Sequence, residues 1–375
     1  MRVVLIADEA FAVRERSLLA RLGVGMADEG LRVIHALPRA VGEGRHAEVG
    51  AEFVLYESRG LQISRGWRAQ QLARQIESLG SAEGEPQPGI VHAFGRGAWE
   101  LAAETAHDLT AALIVEVASA EDASGVADFH RSHGLRGAAL AADLLLEERV
   151  RAMAPEVAVR TTPWGVHAPA APRSILDPAR APSLMLLGGG EPSAGRAAAS
   201  ASDRAALAAA LDAIARAAAK WPDLAAFAEA DAVLRAGLWD RVRDLGLHER
   251  LTLVPDAQGR ADLALMVDLM LFPQSDRPRS IMLEAMAAGV AVVASPDPLS
   301  SVIADGRTAR VADSSAAWPP AVAGLLDDPE SARALGRSAH HWIKHHRKAS
   351  AHVAAVIDAY EWVHSPESLR FPSVG

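Results

Sequence analysis

The chain has 375 residues, half of them hydrophobic and 23% charged, a balance typical of folded globular domains rather than disordered ones. The length suffices for two domains of ordinary size, and a formal net charge of -9 argues against nucleic acid as a partner. The absence of cysteine excludes disulfides, thiolate nucleophiles and cysteine-bound zinc, and it fits a reducing compartment.

The N-terminal half alternates short apolar runs with longer amphipathic segments, which is typical of a parallel α/β sheet. The predicted strands are RVVLIA, LRVIHALP, GIVHAF (89–94) and AALIVEVAS (111–119), and a helix is predicted over 13–29. The first apolar run is five residues long and meets Asp8 and Glu9, so it does not resemble a signal peptide. No run is long enough to span a bilayer, and we expect a cytoplasmic protein.

A second alternating series follows, with strands SLMLLGGG (183–190), RLTLVP, DLMLFP and VAVVAS and an alanine-rich helix over 203–220. Between the two series, residues 161–183 contain five prolines and little periodicity, which favours a domain boundary. We therefore predict an N-terminal domain over 1–165, a linker over 166–182 and a C-terminal domain over 183–350. The tail reads as two helices with a break near 348–350.

The segment SDRPRSIMLEAMAAGVAVVAS (275–295) predicts a polar loop, a helix and a buried strand. A helix that begins at the carboxyl edge of a parallel sheet is suited to bind phosphate. Glu284, one turn into the helix, can accept hydrogen bonds from vicinal hydroxyls such as those of a ribose, and Asp276 can reach a second polyol. The alternative is purely structural: Glu284 favours the helix dipole and Asp276 is a turn residue.

Two other segments carry candidate residues. In VHAFGRGAW, His92, Arg96 and Trp99 follow the end of a strand, where they could bind an acceptor sugar; the alternative is a core tryptophan and a satisfied buried histidine. In HHWIKHHRK, His341 and His345 have the helical i, i+4 spacing that can bind zinc. No carboxylate or cysteine accompanies them, so a solvated cationic face is the default and no metal site is predicted.

Two further patterns argue against other enzyme classes. The run GGGEPSAG does not fit the dinucleotide fingerprint G-x-G-x-x-G, and no G-x-S-x-G nucleophile elbow is present.

The C-terminal half resembles the C-terminal domain of the group 1 (family 4) glycosyltransferases in the run SIMLEAMAAGVAVVAS, followed by SSVIADGRTARVAD. That family has an acidic pair of the form E-x7-E, and Asp276 and Glu284 stand at its two positions. WGVHAP, LGLHERLTLVP and LLDDPESARALGRSA resemble further family segments. The resemblance is strong over 245–345 and loose in the N-terminal half.

The resemblance implies a GT-B architecture, in which two Rossmann-like parallel-sheet domains face a cleft. It also implies a retaining, metal-independent hexosyltransferase with a nucleotide-sugar donor, an unknown sugar, lipid or small-molecule acceptor, and no cofactor. The segment 351–375 would carry a helix that crosses back to the N-terminal domain. By this resemblance and the substitutions it requires, the catalytic residues would be Asp276 and His92, and the acceptor side would use Arg14 and Arg96. The donor-binding residues would be Gly188, Gly189, Arg196, Arg279, Ser280, Ile281 and Glu284.

The sequence departs from the family at several of these positions. Aspartate replaces the first glutamate of the pair, and EAFAVRERS replaces a glycine-rich loop after the first strand. The family's catalytic-site histidine falls on Ala118 and its phosphate-binding arginine on Gly189, so that Arg196 or Arg204 would have to substitute. A catalytically degenerate scaffold that binds a sugar nucleotide, glycan or protein partner is therefore the alternative.

Overall fold

The structure is a computed structural model, and it describes residues 1–42, 52–58, 65–81, 87–135, 137–188, 201–255, 260–274 and 280–364. The chain forms two compact units. Unit 1 contains Met1–Trp164 together with the C-terminal segment from Ala349, and unit 2 contains Gly165–Lys348.

Unit 1 is built on a parallel sheet of seven strands in the order β3-β2-β1-β4-β5-β6-β7. The central strands are fully buried and, apart from Arg2 and His92, apolar, as expected for a sheet covered on both sides by helices. The strands are β1 (Arg2–Ala7), β2 (Arg32–Pro38), β3 (Glu52–Tyr56), β4 (Ile90–Phe94), β5 (Ala112–Val117), β6 (Gly137–Ala141) and β7 (Val159–Thr161).

Among the described residues of unit 1, seven α-helices connect these strands: α1 (Glu9–Arg14), α2 (Arg16–Asp28), α3 (Arg39–Gly42), α4 (Arg65–Ser81), α5 (Trp99–Asp108), α6 (Ala120–His133) and α7 (Leu144–Met153). The single helix predicted over 13–29 is instead two helices. The side chain of Asp8 caps α1 by accepting from the Phe11 amide, so the helix begins earlier than predicted. The break falls at Glu15, whose backbone leaves helical geometry and whose side chain is buried.

Unit 2 contains a parallel sheet of six strands in the order β10-β9-β8-β11-β12-β13. Its strands are β8 (Ser183–Leu186), β9 (Ala225–Glu229), β10 (Leu251–Val254), β11 (Leu269–Phe272), β12 (Ala291–Ala294) and β13 (Arg310–Val311). Its helices are α8 (Ala201–Lys220), α9 (Ala230–Leu234), α10 (Trp239–Asp244), α11 (Arg260–Met266), α12 (Ser280–Ala288), α13 (Trp318–Asp327) and α14 (Pro329–His346). Asp328 caps α14 and Pro329 occupies its first turn, as the sequence DDPES favours.

The segment 166–182, predicted as a linker, is packed on unit 2. The buried carboxylate of Asp268 accepts hydrogen bonds from the Leu176 amide at 2.8 Å and from Arg180 at 3.0 Å. Arg333 donates to the carbonyl of Leu176 at 2.6 Å, and Ile175 lies in the core. The segment is therefore anchored at both its backbone and its side chains, which its proline content alone did not reveal.

The last helix, α15 (Ala349–His364), belongs to unit 1. It packs against α2, where Gly25 leaves room for Val353: a Cβ at Gly25 would lie 2.5 Å from the valine side chain. Its buried face also carries Tyr360, which enters the core of the N-terminal sheet. Unit 1 is thus completed by residues from both ends of the chain.

Candidate functional site

The carboxyl edge of the unit 2 sheet gathers buried polar side chains. Because all six strands are parallel, the residues at the C-terminal ends of β8, β9 and β11, or shortly after them, lie at the same edge. Those residues include Gly188, Glu229 and Gln274, and the two side chains are 5% and 3% exposed. In open parallel sheets, ligands bind outside this edge and are oriented by a few polar groups.

Helix α12 begins at this same edge, because it connects the parallel neighbours β11 and β12. Seven of its nine residues are buried, among them Ser280 and Ile281 in its first turn. Glu284, the fifth residue, is partly exposed and is the one charged side chain of the helix. The structure therefore brings the predicted donor-binding residues Ser280, Ile281 and Glu284 together on one helix, with the carboxylate within about one turn of the N-terminal backbone amides.

The glycine turn after β8 is engaged within the protein. The Gly188 amide donates to the Glu229 carboxylate at 2.7 Å, and a Cβ at Gly188 would lie 2.9 Å from Gln274 Oε1. An anionic ligand could use this amide only after the Glu229 carboxylate moves. The donor-binding role predicted for Gly188 stays a prediction, and Glu229 was missed because its alanine-rich strand AAFAE was not predicted.

Four of the predicted site residues lie outside the described residues: Asp276, Gly189, Arg196 and Arg279. Arg204, the other candidate phosphate ligand, is described. It lies in the first turn of α8, is exposed and donates to the carbonyl of Gly237 at 3.2 Å. Gln274 was also missed, although a polar residue directly after the predicted strand DLMLFP was a usable signal.

The carboxyl edge of the unit 1 sheet is organised by Asp8. Its carboxylate accepts from the Phe11 amide at 2.8 Å and from the Gly97 amide at 3.0 Å, joining the turn after β1 to the turn after β4. Gly95 has a φ of +79°, and a Cβ there would lie 2.4 Å from the Asp8 carboxylate. Glycine at position 95 is thus required by both the backbone conformation and the close approach.

The predicted acceptor-side arginines lie on elements at this edge of unit 1. Arg96, in a short 3₁₀ turn, is exposed and its Nη1 lies 3.7 Å from Glu121 Oε1. Arg14 ends α1 and is partly exposed. Ala118, at the position of the family's histidine, follows β5, and its amide donates to Asp122 at 3.1 Å. A methyl group cannot exchange protons, so the catalytic role of that histidine is not carried by Ala118.

His92, the other residue predicted as catalytic, is fully buried within unit 1, and its catalytic role stays a prediction. Its Nδ1 lies 2.8 Å from the Tyr360 hydroxyl and its Nε2 lies 3.1 Å from Glu116 Oε2. The indole of Trp164 donates to the other oxygen of Glu116 at 2.6 Å. Both ring nitrogens are therefore engaged inside unit 1, as in the alternative of a satisfied core histidine; the spacing in the sequence could not show that α15 supplies the partner. Trp99 is 1% exposed and lies in the core, as its own alternative stated.

Neither metal clusters nor membrane-spanning helices are found in the part of the chain that the structure describes. No group of three or more potential metal ligands comes together there, and none of its helices combines the length and apolar character needed to cross a bilayer.

Comparison with known proteins finds similarity to this chain in structure but not in sequence. No family model matches the chain, and no curated protein matches it in sequence. Sucrose-phosphate synthase from Thermosynechococcus elongatus is similar in structure, with a TM-score of 0.71, 14% identity, and coverage of 97% of this chain and 99% of that chain. Anabaena HepE in complex with UDP and glucose gives a TM-score of 0.67 at 11% identity, over 96% of this chain and 99% of that chain.

A third similar structure is assigned as a UDP-N-acetylglucosamine 2-epimerase from Listeria monocytogenes, with a TM-score of 0.61 at 14% identity over 96% of both chains. The chain has the GT-B fold. The prediction of two Rossmann-like parallel-sheet domains is confirmed, while the cleft expected between them stays a prediction. At identities this low, the likeness concerns the fold, and function has to be argued from the residues.

Proposed function

We propose that the protein is a cytoplasmic glycosyltransferase that transfers a sugar from a nucleotide-sugar donor to a hydroxyl acceptor, with the donor bound by unit 2. The observation that carries the proposal is Glu284, the one charged residue of the otherwise buried helix α12, placed at the carboxyl edge of a parallel sheet. Helix-dipole stabilisation falls off beyond the first turn, so the dipole gives little reason for a carboxylate at this position.

The first turn of α12 supplies the other half of the donor site. The amides near Ser280 and Ile281 have no acceptor within the helix, and the helix dipole places partial positive charge beside them. A diphosphate at this end would accept from those amides, while Glu284 would accept from the ribose hydroxyls. The separation of about one helical turn between amides and carboxylate suits the distance between diphosphate and ribose in a nucleotide.

Catalysis would be electrostatic. Negative charge develops on the departing diphosphate, and the α12 N-terminus would stabilise it without any rearrangement at the moment of reaction. Asp276, at the first position of the acidic pair, would bind the hydroxyls of the transferred sugar. Retention at the anomeric carbon and independence from metal follow from the resemblance to the group 1 family and remain part of the proposal.

UDP is the first nucleotide to test, since HepE has been solved with UDP, glucose and UDP-glucose. We propose calorimetric titration of the protein with UDP, GDP and ADP. Glu284→Ala should weaken binding of the preferred nucleotide about tenfold, the equivalent of about 1.4 kcal/mol. Glu249→Ala, which removes a carboxylate whose side chain is 84% exposed in the same unit, is the matched control and should bind like the wild type.

The product of the matching sugar nucleotide then identifies the reaction. A glycoside whose anomeric configuration matches the donor supports retaining transfer, and inversion contradicts it. A free epimerised sugar would indicate instead the chemistry named for the Listeria protein. If the wild type binds none of the three nucleotides, or if Glu284→Ala binds as well as Glu249→Ala, the donor site assigned to α12 is wrong and the scaffold alternative gains support.

A further inference from the structure

The C-terminal half of α14 carries four histidines, and the structure separates them into different environments. His340 is buried and its Nδ1 lies 2.6 Å from the carbonyl of Ala287. His346 lies against Trp342, with ring centroids 5.0 Å apart. His341 and His345 are both exposed and lie side by side on the surface of the helix, with ring centroids 4.4 Å apart. Only this last pair is both close together and open to solvent.

The separation of the two rings suits shared coordination of one ion. A ligating imidazole nitrogen lies about 2.0–2.1 Å from a transition metal, which places two ring centroids roughly 4.5–5 Å apart when both bind the same ion. The observed 4.4 Å is close to that range, so small rotations of the two side chains would be enough. The helix holds the pair in place, because residues four apart are neighbours on one face.

The chemistry of the pair suits transition metals, because imidazole nitrogen is a good ligand for Zn²⁺, Cu²⁺ and Ni²⁺. Hard ions such as Mg²⁺ and Ca²⁺ need oxygen ligands instead, and among the described residues no carboxylate joins the pair in a cluster of ligands.

We propose that His341 and His345 form a two-imidazole site for a divalent transition-metal ion on the surface of α14. Among the described residues no third side chain completes the site, so water fills the remaining coordination positions. Nitrogen ligands follow the Irving–Williams order, so Cu²⁺ should bind more tightly than Ni²⁺, and Zn²⁺ more weakly than Cu²⁺. The site is independent of the proposed sugar transfer, for which no metal is required.

The test is calorimetric titration of untagged protein with CuCl₂, NiCl₂ and ZnCl₂ in a buffer that does not chelate metals. His341→Ala and His345→Ala should each weaken Cu²⁺ binding at least about tenfold, since even loss of a residue that only supports a metal ligand costs 10–100-fold. His346→Ala, which removes a neighbouring exposed histidine from the same turn, is the matched control and should leave the affinity unchanged. Both substituted side chains are exposed, so folding should be retained, and circular dichroism checks this.

A second readout locates the metal on the rings themselves. In NMR spectra of histidine side-chain nitrogens, Zn²⁺ should shift the resonances of His341 and His345 and leave those of His340 unmoved. The proposal is overturned if the double variant His341→Ala/His345→Ala binds Cu²⁺ as tightly as the wild type. It is equally overturned if His346→Ala weakens binding as much as either substitution in the pair.

Discussion

The indole nitrogen of Trp164 donates a hydrogen bond of 2.6 Å to Glu116, and both side chains are buried. The second oxygen of the same carboxylate faces His92 Nε2, and His92 Nδ1 faces the Tyr360 hydroxyl. Trp164 is the last residue of the first segment of unit 1, and Tyr360 lies in the helix with which the chain returns to it. One buried carboxylate therefore holds both segments of unit 1, one directly and the other through an imidazole.

Trp164→Phe should destabilise unit 1 by about 2 kcal/mol or more, because it leaves a buried carboxylate oxygen without its donor and removes part of a packed ring. The measurement is native-state hydrogen exchange of the β5 amides, which reports the opening free energy of this unit. Trp67→Phe, at a tryptophan of unit 1 that is 64% exposed, is the control. Equal protection of β5 in the two variants would show that the Glu116 contact contributes nothing.

The two tyrosines of the chain should stay protonated at alkaline pH until unit 1 unfolds. Burial, and then the charge of Glu116, raise the pKa of Tyr360 well above its ordinary value, and burial followed by Asp8 raises the pKa of Tyr56 in the same direction. In the unfolded chain both titrate near the ordinary pKa of 10.0. The stability associated with these groups is therefore complete below pH 10 and is lost as the pH rises above it, since the unfolded state then binds fewer protons.

Ultraviolet titration of tyrosinate measures this directly. Absorbance should rise in one cooperative step that coincides with loss of circular dichroism. Tyr56→Phe/Tyr360→Phe should make the unfolding free energy less dependent on pH above 10. A gradual tyrosinate signal in a protein that is still folded would contradict the buried placement of both rings.

Asp268→Ala should expose the segment 166–182 to proteolysis. The substitution removes acceptors from the Leu176 amide, Arg180 and Ser183, and the loss of one partner from a buried ion pair costs about 3–5 kcal/mol. Arg180 is partly exposed, so we expect the lower end of that range. Trypsin should then cleave after Arg173 and Arg180 at low enzyme ratios. Asp240→Ala, at an exposed aspartate of unit 2, should resist trypsin like the wild type.

Comparing the single variants Gly95→Ala and Gly30→Ala should separate the cost of backbone strain from the cost of a steric clash. Both glycines have a φ of +79°, so alanine costs about 1–2 kcal/mol at either position. At Gly30 an added Cβ meets nothing within 4 Å, whereas at Gly95 it would lie 2.4 Å from the Asp8 carboxylate. Gly95→Ala should therefore lower the melting temperature further, by an amount equivalent to about 1–3 kcal/mol. If the two variants have similar melting temperatures, the loop at Asp8 can move away from the added Cβ without a measurable loss of stability.

Apolar periodicity predicted the strands that are rich in branched residues, such as β4, β5, β11 and β12, and it predicted the fold class. It missed β3, β7 and β13, and it also missed β6 and β9, whose sequences GAALA and AAFAE are mostly alanine. Alanine is depleted in strands, and these segments are strands because flanking strands pair with both of their edges.

Residues of the candidate site could be predicted only where the sequence pattern of a single segment determines where the residue lies. Glu284 could be placed because a buried helix with a single charged residue can be recognised within nine positions. His92 could not be assigned, because its partner Tyr360 lies 268 residues further along the chain. Glu229 and Gly188 are likewise brought together by strand pairing, which no single segment encodes.

The return of α15 to unit 1 has a consequence for synthesis on the ribosome. N-terminal domains usually fold first as the chain emerges. Here the N-terminal unit lacks its last helix until the whole of Gly165–Lys348 has been translated, whereas unit 2 is one continuous stretch. During that interval His92 lacks the Tyr360 hydroxyl and the face of α2 that packs on α15 is uncovered. The C-terminal unit can therefore complete its fold before the N-terminal one, and a nascent chain stalled before residue 349 would expose the surface that chaperones recognise.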